Sequence, residues 1–287
     1  MTEFIRKSDS VSKLMSTKHD NGVVLLEYPL LNATGVVSHC FSTRLGGISK
    51  GIYSSMNLSY SRGDNPEAVT SNFRLLADAK GWDINNMVFS DQTHTTNIKK
   101  VTIEDAGKGI VRNRDYTDID GLITNVPGLI LSTFYADCVP LYFVDPVNKA
   151  IGLSHSGWKG TVGRIGKATI DAMASEYGTV PSNLVCAIGP SICQDCYEVS
   201  LDVAEAFMKE FPNNINDIIY EKEPVNGERK FQLNLWKACE TVMVDAGVKR
   251  ENIAVTDICT CCNPELLFSH RASHGKRGNL GAFLCLN

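Results

Sequence analysis

The chain has 287 residues, 43% of them hydrophobic and 21% charged, with a formal charge of -4 at pH 7. That balance suits a globular protein with a sizeable core and lacks the basic surplus of a nucleic-acid surface. No apolar run reaches the roughly 20 residues of a bilayer-crossing helix, and the first ten residues carry no signal-peptide pattern, so a cytoplasmic protein without nucleic-acid or membrane partners is expected.

Residues 1–20 are polar and unpatterned and read as a mobile leader, followed by one domain over residues 21–287. Strands are expected over 22–27 and 36–43. Asn65, Pro66 and Glu67 make a helix start, with Asn65 as cap and Pro66 in the first turn; that helix runs to Lys80 and closes on Gly81. A short strand over 87–90 delivers Gln92 and His94. Strands over 129–134 and 141–145 flank the turn Asp137-Cys138-Val139-Pro140, and a third over 150–155 ends on His155. A helix is expected from about Thr161, with Val162, Ile165, Thr169 and Met173 on its apolar stripe. Two more fit 201–211 and 235–246, the latter capped by Asn234 and closed by Gly247. No linker or repeat divides the chain. The elements alternate without a strict βαβ rhythm, which predicts an α+β fold, a mixed β-sheet with helices packed on the outside.

Three short segments carry the chemistry. His94, Cys138 and His155 each lie at a strand end beside a chain reversal. Two imidazoles and a thiolate are donors that zinc accepts, and three protein ligands leave the open position of a catalytic site. His39, His270 and His274, taken singly, read as ordinary hydrogen-bonded histidines, and His19 falls in the leader. Gly157 and Gly160 around Lys159 allow close backbone approach to an anion, with Arg164 as further charge. Arg44 before Gly46-Gly47 is a candidate clamp for phosphate or carboxylate, with Tyr53 and Asn57 as hydrogen-bonding groups. Asp120, before Gly121, could hold an acid near the pocket, although Asp-Gly is also a common turn.

The chain contains ten cysteines. Cys40, Cys186 and Cys239 sit in apolar or helical contexts and read as small hydrophobes. Cys193 and Cys196 form a CxxC, while Cys259, Cys261 and Cys262 crowd together. A second zinc between these clusters is weighed against the two clean CxxC pairs that a structural site usually shows, and free thiols are the expectation.

Taken together, Arg44 to Ser49 with Tyr53 and Asn57, Gln92-Thr93-His94, Asp120-Gly121, 136–140, 155–160, 188–192, 197–199 and Phe268-Ser269-His270-Arg271 resemble the YfiH-like family, in the same order over roughly residues 22–285. Members were once described as polyphenol oxidoreductases (laccases) and later as purine nucleoside phosphorylases. The resemblance implies a single α+β domain with a metal on His94, Cys138 and His155. It also implies phosphorolysis of adenosine, inosine and S-methyl-5′-thioadenosine to base and ribose 1-phosphate, together with deamination of adenosine. Purine nucleosides and phosphate are then the expected small-molecule partners. Zinc is the expected metal and copper the alternative.

Within that chemistry Asp137, beside the ligand Cys138, is the expected proton-transfer group. Arg44, Asn57, Gln92, Gly157, Lys159 and Gly160 are the expected substrate- and phosphate-binding set, and Arg44 is also expected to act in catalysis. Three rival readings stand beside this one. A copper-dependent phenol oxidase uses the same donors, but a laccase needs a further trinuclear cluster, and the chain has only six histidines. A metal-free hydrolase would use Cys138 as nucleophile and His155 as base, oriented by Asp137 or Gln92. A zinc-binding module without turnover would use the thiol clusters.

Overall fold

In the strand Val139–Asp145 every residue is buried, and alternate side chains enter different cores: Val139, Leu141 and Phe143 one way, Tyr142 and Val144 the other. A strand apolar on both faces lies between two packed layers. The computed structural model describes residues 3–7, 14–224 and 228–287. Among them, fifteen strands form three sheets. The first runs β1 (Met15–Lys18), β2 (Val24–Glu27), β3 (Val37–Ser42), β15 (Leu280–Leu286), β7 (Ile130–Tyr135), β4 (Met87–Phe89), antiparallel except for the β7–β4 edge. The second runs β14 (Ile253–Val255), β10 (Val185–Ile188), β8 (Val139–Asp145), β9 (Ala150–Ser156), β6 (Gly121–Thr124), β5 (Ile98–Lys100), with parallel edges at β14–β10 and β6–β5. A small third sheet joins β11 (Glu198–Val199), β13 (Phe231–Leu233) and β12 (Ile219–Glu221).

The two large sheets stack face to face. Leu131, Tyr135, Ala282 and Leu284 of the first meet Tyr142, Val144, Ile151 and Leu153 of the second in one core. Tyr28 and Tyr142 bury their rings there and donate their hydroxyls to the carbonyls of Ile188 and Cys40, so each phenol ties the two sheets together while its own polar atom stays paired. The helices Ile165–Tyr177, Leu201–Glu210 and Leu235–Asp245 cover the outer face of the second sheet. The helix Pro66–Lys80 covers the first, packing Phe73 and Leu76 against Phe89 and Phe283. The fold is therefore α+β with helices outside, as expected, but its centre is a pair of sheets.

Local signals match at several ends. Asn65 accepts the backbone N–H groups of Glu67 and Ala68, and Gly81 closes that helix at φ 66°. Asn234 accepts from Lys237 at 3.0 Å. Two expectations need correction. Residues 15–18, placed in the leader, pair with β2, and Leu14 is buried; residues 1, 2 and 8–13 of that leader lie outside the described residues. The helix expected from Thr161 begins at Trp158 and breaks after Val162, because Gly163 and the left-handed Arg164 (φ 57°) redirect the chain before Ile165.

Candidate metal centre

The strand connections bring the three candidate ligands to one end of the sandwich. β4 and β7 are parallel neighbours in the first sheet, so their C-terminal ends deliver His94 and Cys138 to the same edge. From there each chain crosses into the second sheet, as β5 and β8. The antiparallel β8–β9 register sets Pro140 opposite His155 and so lays His155 beside Cys138. The ligand atoms of His94, Cys138 and His155 all lie within 4.8 Å of one another, and His94 Nε2 is 4.0 Å from Cys138 Sγ. Tetrahedral zinc bonds of 2.0–2.3 Å place such donors about 3.3–3.6 Å apart, so the trio fits an ion with movements of about an ångström or less.

The carboxylate of Asp120 organises this trio. Its Oδ1 lies 2.8 Å from His155 Nδ1, which leaves Nε2 of that ring for a metal. It also accepts the backbone N–H groups of Thr93, His94 and Thr95, fixing the loop on which His94 sits at φ 68°. Burial would raise the Asp120 pKa, but the bonds from His155 and from the Thr95 and Thr93 backbone hold it down at about 2. Burial would likewise raise the Cys138 thiol, yet His155 and His94 bring it to about 6. His155, which burial would lower, is lifted by Cys138 and Asp120 to about 9. These mutual shifts favour the thiolate of Cys138 and the imidazolium of His155, and a cation held by the three donors would displace the imidazolium proton.

Gly157 has an ordinary φ of -75°, so its role is spatial. A Cβ there would lie 2.6 Å from the His94 ring and 3.4 Å from Cys138 Sγ. At Gly160 the nearest atom would be 3.5 Å away, an ordinary contact.

Two cavities of about 590 and 470 Å³ meet at His94, Ala136 and Cys138, and Arg62 and Arg277 line both. The larger adds Gln92, His155, Arg112, Arg114 and an apolar wall including Phe89, Ile110 and Phe134. The smaller adds Lys159, Tyr197, His270 and Arg271. Arg277 is 8% exposed, its Nε has no partner among the described residues, and one of its terminal nitrogens is 3.5 Å from His270 Nδ1. Burial, with Arg62 nearby, lowers its pKa to about 10.

Several expected site residues stand elsewhere or do other work. Arg44 lines neither cavity: its guanidinium donates to the carbonyls of Ser54 and Pro264 and stacks on Phe268, because that side chain bridges two loops. Asn57 is fully buried, and its amide braces Ser59, Asp64 and Asn279 behind the cavity wall. Gln92 does reach the larger cavity, with its amide paired to the Phe134 backbone. Asp137 borders the smaller cavity beside Cys138, but both its oxygens are engaged, by the Thr260 hydroxyl at 2.6 Å and the Arg271 N–H at 2.7 Å. Arg164 turns away to Glu210 and Asp245. Arg62 and Arg277 belong to no motif of the sequence, whereas His270, ordinary when read singly, lies in the Phe268–Arg271 motif and lines the smaller cavity.

The family described as multi-copper polyphenol oxidoreductase laccase matches residues 38–287. The chain belongs to the YfiH-like family. It is 35% identical over 248 residues to the purine nucleoside phosphorylase YlmD of Bacillus subtilis (strain 168), covering 85% of this chain and 86% of that one. It is 36% identical over 233 residues to the adenosine deaminase RL5 of an unknown prokaryotic organism, covering 80% and 87%. Among solved structures it superposes on the hypothetical protein YfiH of Bacillus licheniformis with a TM-score of 0.86 and 31% identity, covering 95% and 99% of the two chains. YlmD of Geobacillus stearothermophilus gives 0.85, also at 31% identity, covering 96% and 99%. These YfiH-like relatives include enzymes that act on purine nucleosides, in keeping with a site built for a small molecule.

Proposed function

We propose that this protein is a zinc-dependent purine nucleoside phosphorylase that cleaves adenosine, inosine and S-methyl-5′-thioadenosine with phosphate, and that also deaminates adenosine. The observation that carries the proposal is the convergence at one cavity floor of an open three-donor metal set with a buried arginine whose Nε is unpartnered. Zinc on His94, Cys138 and His155 would supply a Lewis acid with one open position. The remaining work falls to the chain itself. Arg277 and Arg62, with His270 beside Arg277, would hold the phosphate dianion. The wall of Phe89, Ile110 and Phe134 offers an apolar face to the purine. Asp120 keeps His155 in one tautomer and orientation. Asp137, next to Cys138 in the chain, would serve as the proton-transfer group, and to act it must release Thr260 or Arg271. Lys159, on the rim of the smaller cavity, adds positive charge for an anionic substrate group.

Copper is the second reading, favoured by the family description and by the donor set. None of the residues lining the two cavities is a methionine, so the axial thioether typical of a blue-copper site is missing from them. Stripping the metal and reloading zinc or copper separately tests both readings. Phosphate-dependent release of hypoxanthine from inosine after zinc supports the proposal. Phenol oxidation after copper, with no nucleoside cleavage under either metal, overturns it.

A further inference from the structure

Four thiols outside the site described above converge on one point. The Sγ atoms of Cys193, Cys196, Cys259 and Cys262 all lie within 4.8 Å of one another, with Cys196 and Cys262 3.5 Å apart. The topology explains why. β10 and β14 are parallel neighbours in register, Ile188 beside Val255, and the pairing continues past their ends through the Ser191–Cys259 bridge and the Thr260 N–H on the Ser191 carbonyl. Two loops thus leave the sheet side by side. Each carries a cysteine pair spaced CxxC: Cys193 with Cys196, and Cys259 with Cys262. Cys261 lies inside the second pair and is not one of the four. The Cys193 N–H donates to Cys259 Sγ at 3.2 Å, the kind of backbone bond that stabilises sulfur carrying negative charge.

We infer that Cys193, Cys196, Cys259 and Cys262 form a closed tetrathiolate site for one structural zinc ion. Zn–S bonds of about 2.3 Å in a tetrahedron set the sulfurs about 3.8 Å apart, a spacing this cluster meets with small shifts. A four-iron cluster would interpose its own irons and sulfides and needs its cysteines more widely spread. A disulfide accounts for two sulfurs at a time, and here four share one centre. The cysteines that merely pack, Cys40, Cys186, Cys239 and Cys285, are buried among apolar side chains of the helix–sheet cores. By contrast Cys196, at the end of the short helical turn Gln194–Cys196, and Cys262 are half-buried.

The position gives the ion a purpose. Residues beside its ligands grip the turn that presents Cys138: the Ile192 N–H donates to the Asp137 carbonyl at 3.0 Å, and the Thr260 hydroxyl donates to the Asp137 carboxylate. Arg271, whose N–H holds the other Asp137 oxygen, donates its guanidinium to the Cys196 carbonyl. The structural ion therefore clamps the two loops that hold the catalytic turn in place.

The test uses the full chain as Cys138→Ala, which removes the thiolate of the His94–Cys138–His155 centre from the cobalt spectrum. Loaded with cobalt(II), it should bind one tetrahedral cobalt per chain with intense sulfur-to-cobalt charge-transfer absorption. Adding Cys261→Ser should leave that spectrum in place, and adding Cys262→Ser should abolish or greatly weaken it. Should the Cys262 variant fail to fold, alkylation of the zinc-loaded Cys138→Ala chain decides the matter. Protection of the four cysteines until a chelator is added supports the site. Absence of thiolate–cobalt absorption, alkylation without chelator, a Cys196–Cys262 disulfide in the purified protein, or iron in place of zinc each overturns it.

Discussion

Asp120 Oδ1 lies 2.8 Å from His155 Nδ1, while the same carboxylate accepts the backbone N–H of His94 at 3.1 Å. One buried acid therefore aims one proposed metal ligand through its ring and another through its backbone. Asp120→Asn keeps the size and loses the charge, and its amide nitrogen cannot accept the N–H groups that one oxygen now takes. Zinc affinity at the His94–Cys138–His155 centre is expected to fall about 10- to 100-fold. Competition against a chromophoric chelator measures this, and an unchanged affinity would remove Asp120 from its positioning role.

Gly157 and Gly160 separate space from conformation. Gly157→Ala would put a methyl group 2.6 Å from the His94 ring, so His94 must move and the metal is expected to be lost or weakly held. Gly160→Ala meets only ordinary contacts and should retain both metal and fold. Metal content of the two purified variants checks the contrast, and equal zinc in both would contradict it.

Under the proposed function Arg277, rather than the Arg44 suggested by the sequence, is the anion-binding arginine. Arg44→Ala removes charge-assisted bonds to the Ser54 and Pro264 carbonyls and the stack on Phe268, so stability should fall by on the order of 2 kcal/mol with metal content intact. Arg277→Gln should instead raise the KM for phosphate at least tenfold. Urea unfolding together with phosphate titration distinguishes the two. A phosphate defect confined to Arg44→Ala would restore the sequence-based assignment.

A buried histidine predicts the acid behaviour of the fold. His39 accepts the Tyr28 N–H at its Nε2, and burial lowers its pKa to about 4, with Glu27 opposing that shift and Lys80 adding to it. Unfolded, it titrates near about 6.5. Between those values the unfolded chain binds a proton that the folded chain refuses. Stability is therefore complete above pH about 6.5 and declines as pH falls through about 4, by on the order of 3 kcal/mol. His39→Gln should flatten that part of the urea-midpoint profile between pH 4 and 7. An unchanged slope would assign the acid loss to other groups.

The convergence of the three candidate donors was legible because they occupy strand ends beside reversals, where sequence pattern and chemistry coincide. His94, Cys138 and His155 could be read in that way, as could the caps at Asn65 and Asn234. The stacked sheets were not legible, since a strand buried on both faces, such as Val139–Asp145, shows a continuous apolar run that cannot say what lies on either side. Arg62 and Arg277 lie far apart in sequence and meet only through tertiary structure. Asp120 looked like a turn residue because the same Asp-Gly dipeptide serves both purposes. The second cysteine pair was hidden by its own neighbour: Cys261 between Cys259 and Cys262 makes a CxxC look like a cluster without spacing.

The most direct test of nucleoside chemistry at the His94–Cys138–His155 centre is mass-spectrometric product analysis after incubation with adenosine and phosphate, run in parallel with Cys138→Ala. Adenine with ribose 1-phosphate, together with inosine, is expected from the unmutated, zinc-loaded protein and from it alone. Unchanged adenosine in both reactions, with zinc confirmed at the centre of the unmutated protein, would contradict the proposal.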